Sequence, residues 1–412
     1  MDMLYFLMSP VTLRKRMPHY GWLIVAAGTL CIFACLGLGR FTLGMILPSM
    51  ATSLSLTYSE MGLISTGNFL GYLISVFVSG IMVRRIGARA LIFIALLMVG
   101  VSMILLSRAS GFIHCLIVYF ITGLGSGSAN VPMMGLVAAW FKSGRRGRAA
   151  GFIVIGSGFA IILSGMLIPY INSLKGGEGW RTGWVMLGLI VLIVAILCLM
   201  ILRNRPEDKG LEPIGEDRPS ESNKIRPVLQ GLYNNRVIYH LGIIYFLFGF
   251  TYVIYVTFFV TSMVKERGLP EAVAGNFWSA IGLFSLLSGP VFGSLSDKIG
   301  RKKGLIIVFI LQSLSYILIA IKLPIPFLYL SIFLFGICAW SIPSIMAAAV
   351  GDYVGPVRAA EAFGFITFIF GLGQIGGPAI AGLLAEASGT FASSFFMASL
   401  FAGLAAIIAF FL

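Results

Sequence analysis

The chain predicts an all-α membrane protein in which twelve transmembrane helices form two pseudo-symmetric six-helix bundles. Three observations predict it. The 412 residues are 58% hydrophobic and only 11% charged, with a mean hydropathy of +0.99, which is too apolar for a water-soluble globule. Continuous apolar runs of about twenty residues, the length that crosses a bilayer, recur along the whole chain. The second half also repeats landmarks of the first at a nearly constant offset. Arg40, Phe41, Thr42 answer to Gly249, Phe250, Thr251 at an offset of 209, and Gly80 to Gly293 at 213. Gly125 and Pro132 answer to Gly336 and Pro343 at 211, and Arg148, Ala149, Ala150 to Arg358, Ala359, Ala360 at 210. Marks in one order at nearly one offset indicate parallel six-helix repeats.

In order, the first run covers 21–47 and follows the basic cluster Arg14, Lys15, Arg16. It is longer than a signal core and has no cleavage pattern after it, so it reads as a retained helix. Runs at 59–82, 90–107, 111–138, 149–171 and 183–202 complete the first set. A polar interval at 203–236, rich in proline and in charges of both signs, cannot bury a core and reads as a linker over one membrane face. Runs at 238–262, 273–295, 304–321, 325–350, 360–385 and 391–412 form the second set. The domains are therefore an N-terminal bundle over 1–202, the linker, and a C-terminal bundle over 237–412. A transmembrane barrel is excluded because these runs are continuous and rich in Gly, Leu and Ile rather than alternating.

The net charge of +14 does not point to nucleic acid, because the cations fall in alternate loops. One side carries the three N-terminal cations, Arg84, Arg85, Arg89, Lys142, Arg145, Arg146, Arg148, seven cations in 203–236, Lys298, Arg301, Lys302, Lys303 and Arg358. The other carries Arg108, Lys175, Arg181, Lys265, Arg267 and Lys322. The positive-inside rule places both termini in the cytoplasm, in a multi-pass protein of the plasma membrane. The five cysteines all lie in apolar runs and read as small filler rather than metal ligands. No metal or cofactor is expected. There is no GxSxG, HExxH or Walker A run, and no buried acid–base pair, so an enzyme is not expected. Gly371 to Gly376 satisfies GxGxxG but follows no strand, and reads as close helix packing.

Arg40 stands alone among apolar residues, with no Asp or Glu at its depth. A guanidinium in hydrocarbon costs about 3 kcal/mol on insertion scales, so it should face a cavity. It lies about eight residues from Pro48, roughly 12 Å along a helix, too far for easy snorkelling. Since arginine keeps its proton and offers a planar fork of donors, its natural partner is an anion. Gly37 and Gly44 share its helix face and should leave room for a ligand. Further candidates for substrate binding are Thr42, Asn68, Tyr72, Tyr119, Asn130, Tyr252, Tyr255, Trp340 and Gln374. Tyrosines suit an apolar cavity through one large ring and one polar tip, although at helical spacing they also serve packing. Asn68 and Asn130 also suit bonds between helices, and Trp340 suits either a cap over a small substrate or packing.

Over nearly its full length the chain resembles the major facilitator superfamily. The most specific mark is the run Gly293 to Lys303, which matches the loop motif GxxxDxxGRxK. In that family the Asp and its basic neighbours clasp helix ends in the outward-open state, which implies conformational gating by Gly293, Asp297, Gly300 and Arg301. The first-half copy implies gating by Gly80, Arg84 and Arg89 as well, but has Arg84 where the family has Asp. Tyr119 replaces an arginine that the family often has on its fourth helix, which weakens a carboxylate-driven proton relay. The runs YGWLIVAAG and PEDKGLEPIG resemble bacterial relatives of monocarboxylate and oxalate/formate carriers, and GRFTLGMILP and GFTYVIYVTF resemble poorly characterised prokaryotic facilitators.

The resemblance implies a secondary active transporter working by alternating access. Arg40 directs the substrate expectation to a small organic anion such as a monocarboxylate, moved by proton symport or anion exchange. Alternatives are an exporter of amphipathic compounds and a receptor that does not transport. The expected partners are the substrate, the lipid bilayer and coupled protons or a counter-anion, in a monomer.

Overall fold

A computed structural model of the chain describes residues 19–216, 235–355 and 358–412. The first half consists of α1 (Tyr20–Ser53), α2 (Tyr58–Ile86), α3 (Ala88–Leu106), α4 (Phe112–Trp140), α5 (Ser143–Lys175) and α6 (Gly179–Ile201). The second half consists of α7 (Arg236–Glu266), α8 (Glu271–Ile299), α9 (Arg301–Ala320), α10 (Ile325–Val354), α11 (Ala359–Ser388) and α12 (Ala392–Phe410). All are long and apolar enough to span a bilayer, α5 and α6 being joined into one continuous stretch by a single 3₁₀ turn, Gly176–Glu178. The helix predicted over 21–47 runs on through Pro48 to Ser53. Arg14, Lys15 and Arg16, and the later part of the linker, lie outside the described residues.

Three helices depart from regular geometry, α7 by a π-helical end over Ser262–Glu266. In α1 the segment Phe33–Phe41 is a π-helix, whose wider turn re-aims the side chains it carries. In α10 the helix stops at Cys338 and restarts at Ser341, leaving Ala339 and Trp340 between. Neither of these last two defects has a counterpart at the matching position of the other repeat: α7 stays α-helical through Thr261, and α4 is unbroken from Phe112 to Trp140.

Within the first bundle α4 packs on α2 and α3, and α3 on α6; within the second α7 packs on α11, and α9 on α12. The bundles meet through α2 with α11, α5 with α8, and α1 with α7. Lipid tails are as apolar as these side chains, so close backbone approach and hydrogen bonds must hold the helices together. Hydrogen bonds between bundles cluster on the face bearing Glu60, Glu178, Glu266, Glu271 and Glu386. Asn172 donates to Glu271 at 2.7 Å, Trp278 to Ser164 at 3.2 Å, Thr66 to the Ile375 carbonyl at 2.9 Å, and the Ser59 amide to Glu386 at 3.2 Å. On the opposite, basic face, α5, α8 and α10 diverge around a cavity of about 580 Å³ that includes Arg148, Ser288, Trp340 and Ser344. The hydrogen bonds between the bundles thus gather on the glutamate face, and the cavity lies toward the basic face.

The first part of the linker docks on the first bundle. Ile214 forms a parallel bridge with Phe141, its amide donating to the Trp140 carbonyl at 2.9 Å, while the Lys142 amide donates to the Ile214 carbonyl at 2.9 Å. Its side chain is buried against the start of α1 at Gly21. The isoleucine supplies an apolar anchor that average composition conceals.

Candidate functional site

Arg40 is 7% exposed, on the π-helical segment of α1. Its neighbours come chiefly from α2, where Asn68, Phe69 and Tyr72 fall on adjoining positions of one helical turn. The Arg40 Nε donates to Asn68 Oδ1 at 3.3 Å, and the guanidinium carbon lies 4.5 Å from the Phe69 ring centre and 4.1 Å from that of Tyr72. Each ring contributes about 0.5–2 kcal/mol and a hydrogen bond to a charged group about 1.5–3 kcal/mol. Together these roughly offset the insertion cost of about 3 kcal/mol, so the cation persists in its apolar setting. Nη2, however, is buried and has no partner among the described residues. Arg40 borders an enclosed pocket of about 10 Å³, the room of one water, shared with Phe41, Ser65, Asn68, Phe69, Tyr119 and Thr257.

Tyr119 lines this pocket, while its hydroxyl holds the backbone. Its hydroxyl donates to the Arg40 carbonyl at 2.7 Å, and Asn68 Nδ2 donates to the Tyr119 carbonyl at 3.1 Å. Ser126, two turns further along α4, donates to the Cys35 carbonyl at 2.7 Å. Side chains of α4 thus satisfy carbonyls of the π-helical segment and fix where Arg40 is carried. The Thr42 hydroxyl is directed to its own helix, 3.4 Å from the Gly37 carbonyl. Gly37 makes no room for a ligand but packs against Ala160 of α5; Gly44 packs against the Val256 carbonyl of α7 and also borders the pocket. A side chain at either position would force the helices apart.

Asn130 on α4 donates to the Tyr72 hydroxyl at 2.7 Å, and Gln374 on α11 donates to the Tyr252 hydroxyl on α7 at 2.5 Å. Both phenols therefore accept from an amide and retain a proton to donate. Trp340 stands edge-on to Tyr252, with centroids 5.7 Å apart, and packs on Phe41 at 4.9 Å. Arg40, Asn68, Tyr72, Asn130, Tyr252, Trp340 and Gln374 are connected in this way across the two bundles. Tyr255 is not brought to them. It is stacked on Phe335 at 3.9 Å, with its hydroxyl 3.1 Å from Ser331 inside the second bundle. Phe41 and Phe69 were not singled out from the sequence, since phenylalanine in an apolar helix carries no polar signal.

Among the loop residues, Arg301 pairs with Asp297 and, at 2.9 Å, with Asp352 of α10, and donates to Ser296 at 2.8 Å. These partners all belong to the second bundle. Gly300 takes a φ of +92°, a backbone conformation that side chains disfavour, and turns the chain between α8 and α9. Arg89 donates to the Leu199 carbonyl at 2.8 Å and its amide to Asn204 at 2.9 Å, binding α3 to the end of α6. Arg84 is exposed, and Gly80 and Gly293 face open space.

Residues 32–410 match the family described as "Uncharacterised MFS-type transporter YbfB". The chain belongs to the major facilitator superfamily. It is 26% identical over 401 residues to the "Hexuronate transporter" of Bacillus subtilis (strain 168), covering 90% of each chain. It is 21% identical over 410 residues to the "Probable sulfoacetate transporter SauU" of Cupriavidus necator, covering 93% of this chain and 92% of that one. Against "Monocarboxylate transporter 2" of Mesocricetus auratus identity is 24% over 387 residues, covering 89% and 78%. Among solved structures, a bacterial homolog of the human lysosomal transporter Spinster, in an inward-facing and unoccupied conformation, superposes with a TM-score of 0.77 at 15% identity, covering 96% of this chain and 97% of that one. That likeness concerns the fold. The superfamily member described here is a multi-pass membrane protein built as a transporter.

Proposed function

We propose that this superfamily member carries small organic anions of single negative charge across the plasma membrane by alternating access, with Arg40 holding the anionic group. The observation that carries the reading is the buried Nη2 of Arg40, a charged donor without a partner beside a pocket between the bundles. One monoanion neutralises this site, whereas a dianion leaves a net negative charge in a low-dielectric setting, where it is costly. Tyr72, Tyr252 and Gln374 offer hydrogen bonds to the neutral part of the substrate. Hexuronate and monocarboxylates, named for two relatives, have this character. Sulfoacetate, named for a third, bears two charges and should bind more weakly here.

No carboxylate lies near the depth of Arg40 in the chain, so the protein supplies no acid to neutralise the empty site. Closing the bundles around an unpaired cation is disfavoured, and an occupied site removes that barrier. Anion exchange follows directly; a proton can also travel with the substrate as its acid. The basic face is assigned to the cytoplasm by the positive-inside rule, with both chain ends there, and the Asp297 loop is assigned to gating. The test is ligand-induced thermal stabilisation of purified protein across lactate, hexuronates, malonate, sulfoacetate and a lipophilic cation. Stabilisation by monocarboxylates that weakens as salt rises supports the proposal. Stabilisation by the lipophilic cation alone replaces it with export of amphipathic compounds.

A further inference from the structure

We propose that Phe41 and Trp340 form the gate that shuts the Arg40 pocket from the basic face, and that the Trp340 indole N–H receives the anion as it crosses. Only the second part rests on the anion reading above. Phe41 borders the enclosed pocket of Arg40, while Trp340 borders the 580 Å³ cavity of the basic face. Their rings meet with centroids 4.9 Å apart and planes 33° apart, one ring from each bundle. The pair is therefore a partition between two spaces, and separation of the bundles on this face pulls it open.

Both residues sit on helix defects. Phe41 ends the π-helical segment of α1, and Trp340 lies in the break of α10 with φ −112° and ψ 13°. The Trp340 amide donates to Ser288 Oγ at 3.3 Å, an attachment to α8 outside its own helical ladder. Such segments can change their backbone bonding without unwinding a whole helix. Tyr252 supports the indole from α7 at 5.7 Å and is itself fixed by Gln374. The indole Nε1 is buried with no partner among the described residues, so the gate carries an uncommitted donor. An oxyanion leaving Arg40 toward the cavity meets that donor at the partition, and the exposed Arg148 lies further along the same cavity.

The gate is testable without a ligand. Ser65 lines the Arg40 pocket on the far side of the ring pair. In nanodiscs, Ser65→Cys serves as a reporter whose reaction with a small water-soluble thiosulfonate is followed by mass spectrometry, against the parent with its native cysteines. Trp340→Ala and Phe41→Ala, made separately so that either alone decides, should each speed the reaction at least tenfold. Trp340→Phe, which keeps a ring, should leave it within threefold. An unchanged rate in whichever alanine variant folds overturns the gate. For the donor, Trp340→Phe should weaken stabilisation by lactate or hexuronate about tenfold; unchanged affinity overturns it. If no carboxylate stabilises the wild-type protein, the anion reading and the donor role fall together, while the reporter still decides the gate.

Discussion

Arg40 persists in an apolar site because two aromatic rings and one amide compensate it almost completely, and the uncompensated remainder is what a substrate can use. Tyr119 belongs to the support of that arrangement. Tyr119→Phe removes one hydrogen bond to a buried carbonyl and should cost about 1 kcal/mol of stability, while carboxylate affinity stays within threefold. Thermal unfolding with and without ligand measures both, and a large loss of affinity at unchanged stability would make the Tyr119 hydroxyl a substrate contact. Arg40 was legible in the sequence because a charge at that depth lies too far from the membrane surface to snorkel easily. The direction of Tyr119 was not: its hydroxyl serves a carbonyl in a π-helical segment, and nothing in FACLGLGRF marks that wider turn. Tyr255 was misplaced for a related reason. Helical spacing put it near the face of Tyr252, but Ser331 and Phe335 of the second bundle capture it.

At the scale of elements, the seal on the glutamate face is made by few contacts. Asn172 to Glu271 joins α5 and α8, and the carboxylate of Glu386 caps the start of α2, where the helix dipole also favours negative charge. Asn172→Ala combined with Glu386→Ala should move the conformational balance about tenfold toward opening on this face, since hydrogen bonds at this solvent-facing rim contribute about 0.5–1 kcal/mol each. Distances between spin labels on the outer ends of α2 and α11 should lengthen; an unchanged distribution would show that glycine packing alone holds the seal. Gly44→Val should act in the same direction by pressing on the Val256 carbonyl, leaving transport slow and the label distance long. These helices were legible from hydropathy and their grouping into two sets of six from the repeat. The latches were not, because each joins residues about a hundred or more positions apart that no periodicity connects. The linker shows the same limit. Ile214 sits in a polar interval yet docks beside Phe141, so Ile214→Asp should destabilise the first bundle by about 1–3 kcal/mol, read as a lowered melting temperature.

For the whole molecule, the repeat predicts two similar bundles, and the function resides where they differ. Gly249 occupies the place in the second repeat that Arg40 holds in the first, so the site has one charged wall and one wall of tyrosine, glutamine and tryptophan. In the proposed mechanism a single cation between two moving bodies makes the occupied state the one that crosses easily. Preloading vesicles with a transported monocarboxylate should therefore accelerate its uptake at least tenfold, and equal rates into empty and loaded vesicles would remove exchange from the account. The most direct test is uptake of a labelled monocarboxylate, lactate or a hexuronate that stabilises the protein, into proteoliposomes containing wild-type or Arg40→Ala protein of equal thermal stability. The account predicts saturable uptake by the wild type and a loss of at least a hundredfold with Arg40→Ala; uptake by the variant at the wild-type rate would contradict it.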